Sequence, residues 1–319
     1  MTFKGPIKRK LLWIALILII AIPVLLAAGL WSASNQLLFP AWRGVKKDLS
    51  ICTPETEKYW GAGCGNLRNT HEFKFSEVRV RSVNGYELPG WLIGAAENGM
   101  GPAQGAIMLI HGGGSDRREE TRYIHFFLGR KLDVLTLDLG CSGEAPCPVP
   151  GLTYGDRESR DVLSAYLYLT DKYEKVYAMG GSVGAASILI ALPEMPKLHA
   201  VIAENPMLNF QQLILESPVS RSIPGWFSHL LISLTMLRGR FDGLLSAENS
   251  LRLVKTTPIF FIHSKKDDVV PYRHTQELAG LYAGPKTVWF PDKGNHGAIW
   301  DVDHADYEKR VGDFLDSIK

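Results

Sequence analysis

The sequence predicts an α/β fold: a mostly parallel eight-stranded sheet with helices on both faces and a small helical cap, preceded by an N-terminal transmembrane helix. Three observations predict it. From about residue 73 onwards, apolar strand-like runs alternate with helix-like segments, and that alternation builds a parallel sheet covered on both sides. Ahead of them, Leu11 to Leu30 is an unbroken apolar run behind four basic residues. The 319 residues are 46% hydrophobic and 21% charged, which is enough for one large core.

The first element is the apolar run. "MTFKGPIKRK" carries Lys4, Lys8, Arg9 and Lys10, and "LLWIALILIIAIPVLLAAGL" follows. About twenty helical residues span a hydrocarbon core of ~30 Å, and Pro23 is tolerable there. No charge appears before Arg43, and Lys46 and Lys47 lie further from the span. The positive-inside rule therefore places residues 1–10 in the cytoplasm, makes 11–30 a signal anchor, and puts the body on the outer side. The rival is a cleaved signal peptide, broken near Ala27-Ala28-Gly29 or after Ala33, that releases a secreted body; its apolar region would exceed the usual ~7–15 residues.

The four cysteines fall into two local pairs. In the oxidising compartment an anchor implies, Cys52–Cys64 and Cys141–Cys147 are the natural pairing among three connectivities. A cytoplasmic body would instead keep four thiols. Neither pair has zinc-ribbon spacing, so no metal is expected. A net charge of +2 gives no field for nucleic acid, and no repeat stands out.

Residues 31–72 form a juxtamembrane segment, and 73–319 the main domain. "FKFSEVRVRS" and "YELPGWLIG" read as antiparallel strands around a Val83-Asn84-Gly85 turn. "GAIMLIHGGG" is a strand ending in glycines, "TRYIHFFLGRK" a helix and "VLTLDLG" a buried strand. "DRESRDVLSAYLYLTDKY" opens on a capping-like Asp156 and shows helical spacing at Val162, Leu163, Tyr166 and Leu169. The strand "KVYAMG", helix "SVGAASILIAL" and strand "HAVIAEN" come next. "TTPIFFIHS", "YRHTQELAGLYA", "KTVWFP" and "HADYEKRVGDFLDSIK" then alternate strand and helix to the end.

Ligands on such sheets bind at the carboxyl ends of the strands, and the reactive residue types collect there. Ser182 follows "KVYAMG" within Gly180-Gly181-Ser182-Val183-Gly184, a strand–turn–helix nucleophile pattern; the competing reading is a helix cap. Asp267 and Asp268 follow "PIFFIHSK", and either could orient a histidine. His296 follows the last strand in a glycine-flanked loop. His111-Gly112-Gly113-Gly114 ends the first long parallel strand, where the Gly113 amide could join that of Val183 as an oxyanion hole. A phosphate-cradling loop is disfavoured, because the Lys-Ser/Thr of a P-loop is missing. No cofactor is needed.

These residues, with "HGGGS", "GGSVG", "RFDG", "PIFFIHSKKDDVVP" and "GNHG", resemble the α/β-hydrolase superfamily, and within it the membrane-anchored serine hydrolases. The order Ser…Asp…His is that superfamily's. The resemblance covers about Phe73 to the C-terminus and implies a catalytic triad of Ser182, Asp267 and His296. Asp267 matches the acid of a Gly-x-x-Asp-x-x-Val-Pro pattern, with Ser264 where glycine is usual. "DLGCSGEAP" loosely resembles the Asp-x-x-Gly-x-Gly loop. The apolar insertion 206–250 reads as a lid that covers the strand ends and lines an acyl pocket, or as helices packed on the sheet edge.

The expected activity is hydrolysis of small-molecule or lipid-like carboxylic esters by a membrane-attached enzyme. The alternatives are a serine peptidase or amidase of the same fold, an acyltransferase, and a non-catalytic membrane-anchored binding protein.

Overall fold

The computed structural model describes residues 6–40, 48–148 and 151–318, so Lys4, Arg43, Lys46 and Lys47 lie outside the described residues. The chain opens with helix α1 (Pro6–Leu38), whose 33 residues extend about 50 Å at 1.5 Å per residue. The stretch Arg9–Leu38 is long and apolar enough to cross a membrane, and its most apolar 18 residues have a mean hydropathy of 3.0. Its large side chains from Leu11 to Leu26 are uncovered by protein.

The helix runs past Leu30, the predicted end of the span, because its last turns have a partner. Leu30, Ser34 and Leu38 are buried at four-residue spacing, which is one helical stripe. That end docks on the longest cap helix, Gly225–Gly239. The Arg238 guanidinium sits 3.6 Å from the Trp31 ring centroid, donates to the Trp31 carbonyl at 3.1 Å, and reaches Asn35 Oδ1. Arg238→Ala is expected to cost about 1–2 kcal/mol, seen as a melting temperature a few degrees lower for the full chain in detergent.

Eight strands form one sheet: β1 (Ser76–Arg81), β2 (Glu87–Ile93), β3 (Gly105–Ile110), β4 (Leu132–Leu137), β5 (Val176–Gly181), β6 (Leu198–Glu204), β7 (Ile259–Ile262) and β8 (Lys286–Trp289). Their order is β1-β2-β4-β3-β5-β6-β7-β8. Only the β1–β2 and β2–β4 pairs are antiparallel. The β1–β2 turn falls at Asn84-Gly85, with Gly85 at φ 93° and the Ser82 amide bonded to the Tyr86 carbonyl at 2.8 Å. The chain leaves β4 on one side of β3 and enters β5 on the other. That reversal opens a crevice at the strand ends.

Alternation along each strand supplies two cores. From β3, Ala106, Met108 and Ile110 face one, while Ile107 and Leu109 face the other. Before the sheet come α2 (Pro54–Trp60) and the single turn α3 (Leu67–Thr70). One sheet face carries α4 (Ile124–Gly129) and, from the end of the chain, α13 (His304–Ser317). The other carries α5 (Glu158–Thr170), α6 (Val183–Ala191) and α11 (Arg273–Leu281). The cap comprises α7 (Phe210–Leu215), α8 (Pro218–Arg221), α9 (Gly225–Gly239) and α10 (Ala247–Leu251), and the short α12 (Ile299–Val302) precedes α13.

Two local expectations change. Asp156 does not cap α5: the N-cap position falls one residue later, on Arg157, and no side chain caps the helix. Glu158 holds this corner instead, accepting from the Thr153 amide at 3.0 Å and the Gly155 amide at 3.1 Å. The cap, for its part, is anchored on α1 through α9 and on α6 through α10, with Ala247 and Leu251 buried in the main core. The structure joins Cys52 to Cys64 and Cys141 to Cys147, with Cα atoms 5.5 and 4.2 Å apart.

Candidate active site

Strand β5 ends at Gly181 and α6 begins at Val183, so Ser182 alone makes the connection. Its backbone sits at φ 52° and ψ −116°, a costly conformation for a residue with a Cβ. The turn closes because its flanks have no side chains. A Cβ on Gly184 would overlap the Ile110 carbonyl oxygen and lie 2.6 Å from that of His111. Ser182 occupies the N-cap position of α6, yet its hydroxyl makes no capping hydrogen bond. Its amide is tied to the Glu204 carbonyl at 2.8 Å, and the residue faces a cavity at the strand ends.

His296 faces the same cavity of about 260 Å³. Its Nδ1 lies 2.7 Å from Asp267 Oδ2. Asp267 is fixed on every side: Oδ1 accepts from the Val269 and Val270 amides at 2.9 and 2.8 Å, and Oδ2 also meets His263 Nε2 at 3.1 Å. Burial works against the Asp267 charge, but the hydrogen bonds from His263 and His296 outweigh it and hold the carboxyl well below the usual range. Asp268, the adjacent candidate, is exposed to solvent.

Ser264, which stands where the resemblance leads one to expect glycine, has a use for its hydroxyl. It donates to the Gly294 carbonyl at 2.6 Å and accepts from the Lys266 amide at 3.0 Å. The loop carrying the acid is thereby stitched to the loop carrying the histidine. Buried His263 is held in turn by Thr275 Oγ1 at 2.6 Å. Its i, i+4 spacing to Asp267 is the one signal in the sequence that points to it.

The electrostatics favour a charged imidazole. Burial disfavours protonated His296, but the hydrogen bond and charge of Asp267, followed by Glu204 and Glu119, raise its pKa above the ordinary 6.5. A base must be neutral to accept a proton, so with His296 in that role activity is expected to fall as pH drops through this pKa. The acid limb of kcat/KM is therefore expected above pH 6.5. Asp267→Asn removes the main raising partner and should move that limb to lower pH while cutting kcat by about 10⁴-fold. A pH series on both proteins checks the direction and the size.

Gly112, Gly113 and Glu119 form another edge of the cavity. The Gly112 amide is taken by Glu119 Oε2 at 2.8 Å. A Cβ on Gly113 would lie 2.7 Å from Val183 Cγ2, so the glycine loop and the start of α6 touch. His111, at the head of that loop, is fully buried. Its Nε2 accepts from the Leu139 amide at 3.1 Å and its Nδ1 meets the Gly112 carbonyl at 2.7 Å, which bolts the loop to the end of β4.

The rest of the lining differs from the sequence expectation. No cap residue from 206–250 is among the described residues that line the Ser182 cavity. The cap leans instead on α1, and the juxtamembrane segment takes its place: Tyr59 and Trp60 of α2 form a wall. The Cys52–Cys64 bridge encloses α2, and the Arg118 guanidinium lies 5.2 Å from the Trp60 ring centroid.

The floor is polar. Glu120, Glu204 and Asn205 are buried there, and Glu120 Oε2, Glu204 Oε1 and both Asn205 amide atoms have no hydrogen-bond partner among the described residues. Burial raises the pKa of Glu204 against the lowering effects of Arg122 and the Tyr307 hydroxyl, and burial raises that of Glu120 well above its ordinary value. The signal for the strand-end pair was visible: "HAVIAEN" closes an apolar strand on two polar residues.

Strand order, the strained serine between glycines, and a histidine held by an aspartate across the strand ends define a serine hydrolase of the α/β-hydrolase superfamily. The prolyl oligopeptidase family model matches residues 152–317, slightly more than half of the chain, and the chain belongs to that family. It is 24% identical over 280 residues to the uncharacterized protein YqkD of Bacillus subtilis, covering 86% of this chain and 88% of that one. It is 25% identical over 246 residues to the uncharacterized protein YfhR of Escherichia coli K12, covering 75% and 79%. Among solved structures it is similar to the Pyrococcus furiosus esterase Pf2001, with a TM-score of 0.62, 22% identity, and coverage of 77% of this chain and 91% of that one. It is also similar to the Pyrococcus horikoshii acylaminoacyl peptidase, with a TM-score of 0.59, 20% identity, and coverage of 78% and 42%.

Proposed function

We propose that the protein hydrolyses carboxylic esters with a compact, polar acyl or leaving group, by a Ser182–His296–Asp267 triad, while tethered to a membrane by α1. The observation that carries this reading is that Ser182 and His296 share one cavity while Asp267 holds the far side of the imidazole. Ser182 Oγ attacks the ester carbonyl as His296 takes its proton. The oxyanion that forms is met by the Gly113 and Val183 amides. His296 then protonates the departing alkoxide, leaving an acyl-serine. Water, deprotonated by the same imidazole, releases the acid and restores Ser182.

The cavity's size and its unpaired polar floor argue for a compact polar substrate over a long acyl chain. p-Nitrophenyl esters of increasing chain length test this. Turnover should peak at short chains and fall steeply for long ones; a rise toward long chains would overturn the substrate class. The family match favours one competing reading, a peptidase. Acyl anilides cleaved as fast as the matching esters would favour it.

For location, the docked end of α1 supports an uncleaved anchor, and the basic residues ahead of the apolar run favour a catalytic domain on the outer side. Cleavage after Ala33 would remove Trp31, and with it the ring and carbonyl contacts of Arg238.

A further inference from the structure

A second cavity, of about 220 Å³, lies between the cap and α6, and none of its lining residues is shared with the Ser182 cavity. Its aromatic wall is Tyr154, Phe210 and Phe241, with ring centroids 4.9 Å apart for the first pair and 5.0 Å for the second. Asp156 faces this space, which is why it does not cap α5. The residue is only 8% exposed, and Oδ2 has no hydrogen-bond partner among the described residues. The carboxylate accepts a hydrogen bond from the Asp242 backbone amide.

The surroundings make the orphaned oxygen informative. Asp242 and Glu248 also line the cavity, and no Lys, Arg or His does so among the described residues. Glu248 is already paired with Arg252 at 3.1 Å. Burial, then the charges of Glu158 and Asp242, push the Asp156 carboxyl up to about 7, opposed by Arg157. A cation in the cavity would relieve that cost. Clustered aromatic rings, here tilted 42° and 49° to one another, beside a buried carboxylate are an arrangement that binds ammonium groups.

We propose that this cavity binds an alkylammonium group, primary or quaternary, through Asp156 and the faces of Tyr154, Phe210 and Phe241.

The cavity also sits where such a group could come from a lipid head. The Tyr154 hydroxyl donates to the Leu37 carbonyl at 3.0 Å, so the aromatic wall hangs on the last turn of α1. Leu237 and Leu244, 77% and 79% exposed, flank the lining residues Met236, Phe241 and Leu245. The source is a free amine or the head group of a zwitterionic lipid, and the experiment separates them.

The full chain in detergent is titrated calorimetrically with choline and with ethanolamine, and with 3,3-dimethylbutanol as the uncharged isostere of choline. In parallel, its melting temperature is read in phosphatidylglycerol nanodiscs with and without phosphatidylethanolamine. Binding of either amine, at least tenfold tighter than the isostere and weakened roughly tenfold by Asp156→Asn, supports a free ligand. Stabilisation by phosphatidylethanolamine that is lost in Asp156→Asn supports the lipid source. Equal affinity for choline and its isostere, the same response in wild type and Asp156→Asn, or no response in either arm overturns the proposal. Ester turnover reports folding of the variant, and Phe241→Leu serves in its place should Asp156→Asn fail to fold.

Discussion

Ser182→Ala is expected to abolish labelling by a fluorophosphonate probe and to lower ester turnover by on the order of 10⁴- to 10⁶-fold. The size follows from the division of labour at the site. In the proposed mechanism the hydroxyl forms the new bond, and the strained turn leaves it without a bond to the α6 amides at the edge of the cavity. Substrate binding should survive, because the glycine loop, Glu204, Asn205 and Trp60 remain in place. Stability should barely change, since the side chain makes no capping bond to lose. Residual turnover at the wild-type rate, in a protein with an unchanged melting temperature, would remove Ser182 from the mechanism.

The second large effect is on folding. Gly184→Ala should destabilise at or beyond the upper end of the ~1–3 kcal/mol typical of overpacking, because the new methyl meets carbonyl oxygens of Ile110 and His111 that the sheet and the buried His111 hold still. Gly181→Ala is the matched control. A Cβ there meets nothing within 4 Å, and the residue is outside the positive-φ region. Thermal melts of the two variants should therefore separate clearly, with Gly181→Ala near wild type. Equal melts would mean that close passage of α6 over the end of β3 does not require a glycine.

Much of the site was legible because the chemistry demands short-range patterns. A nucleophile on a tight strand-to-helix turn needs small neighbours, so Gly180 and Gly184 announce Ser182. Asp267 and His296 follow strand ends because loops there converge. What escaped notice were residues whose roles depend on chain segments distant in sequence. Tyr59 and Trp60 read as an unremarked stretch between anchor and domain, and only the fold carries them to the mouth of the Ser182 cavity. Ser264 stood out only as a departure from glycine, and its hydrogen bond to Gly294 appears only when the loops after β7 and β8 lie side by side.

The cap shows the same limit in reverse. Its apolar composition suited a lid over the strand ends, and composition says how much surface must be covered but not against what. Arg238 and the buried stripe Leu30, Ser34 and Leu38 turn α9 toward the first helix of the chain. Asp156 is a smaller case: a carboxylate before a helix suggests a cap, but the backbone turns one residue later and leaves it in a cavity.

The sequence by itself determined the alternating α/β order and the long apolar N-terminal helix, and it offered Ser182, Asp267 and His296 as candidates, because periodicity, span length and turn chemistry are local properties. Only the tertiary structure decided which carboxylate meets His296, which segment walls the Ser182 cavity, and where the cap rests. Those depend on packing between parts of the chain far apart in sequence, and no local pattern encodes that proximity.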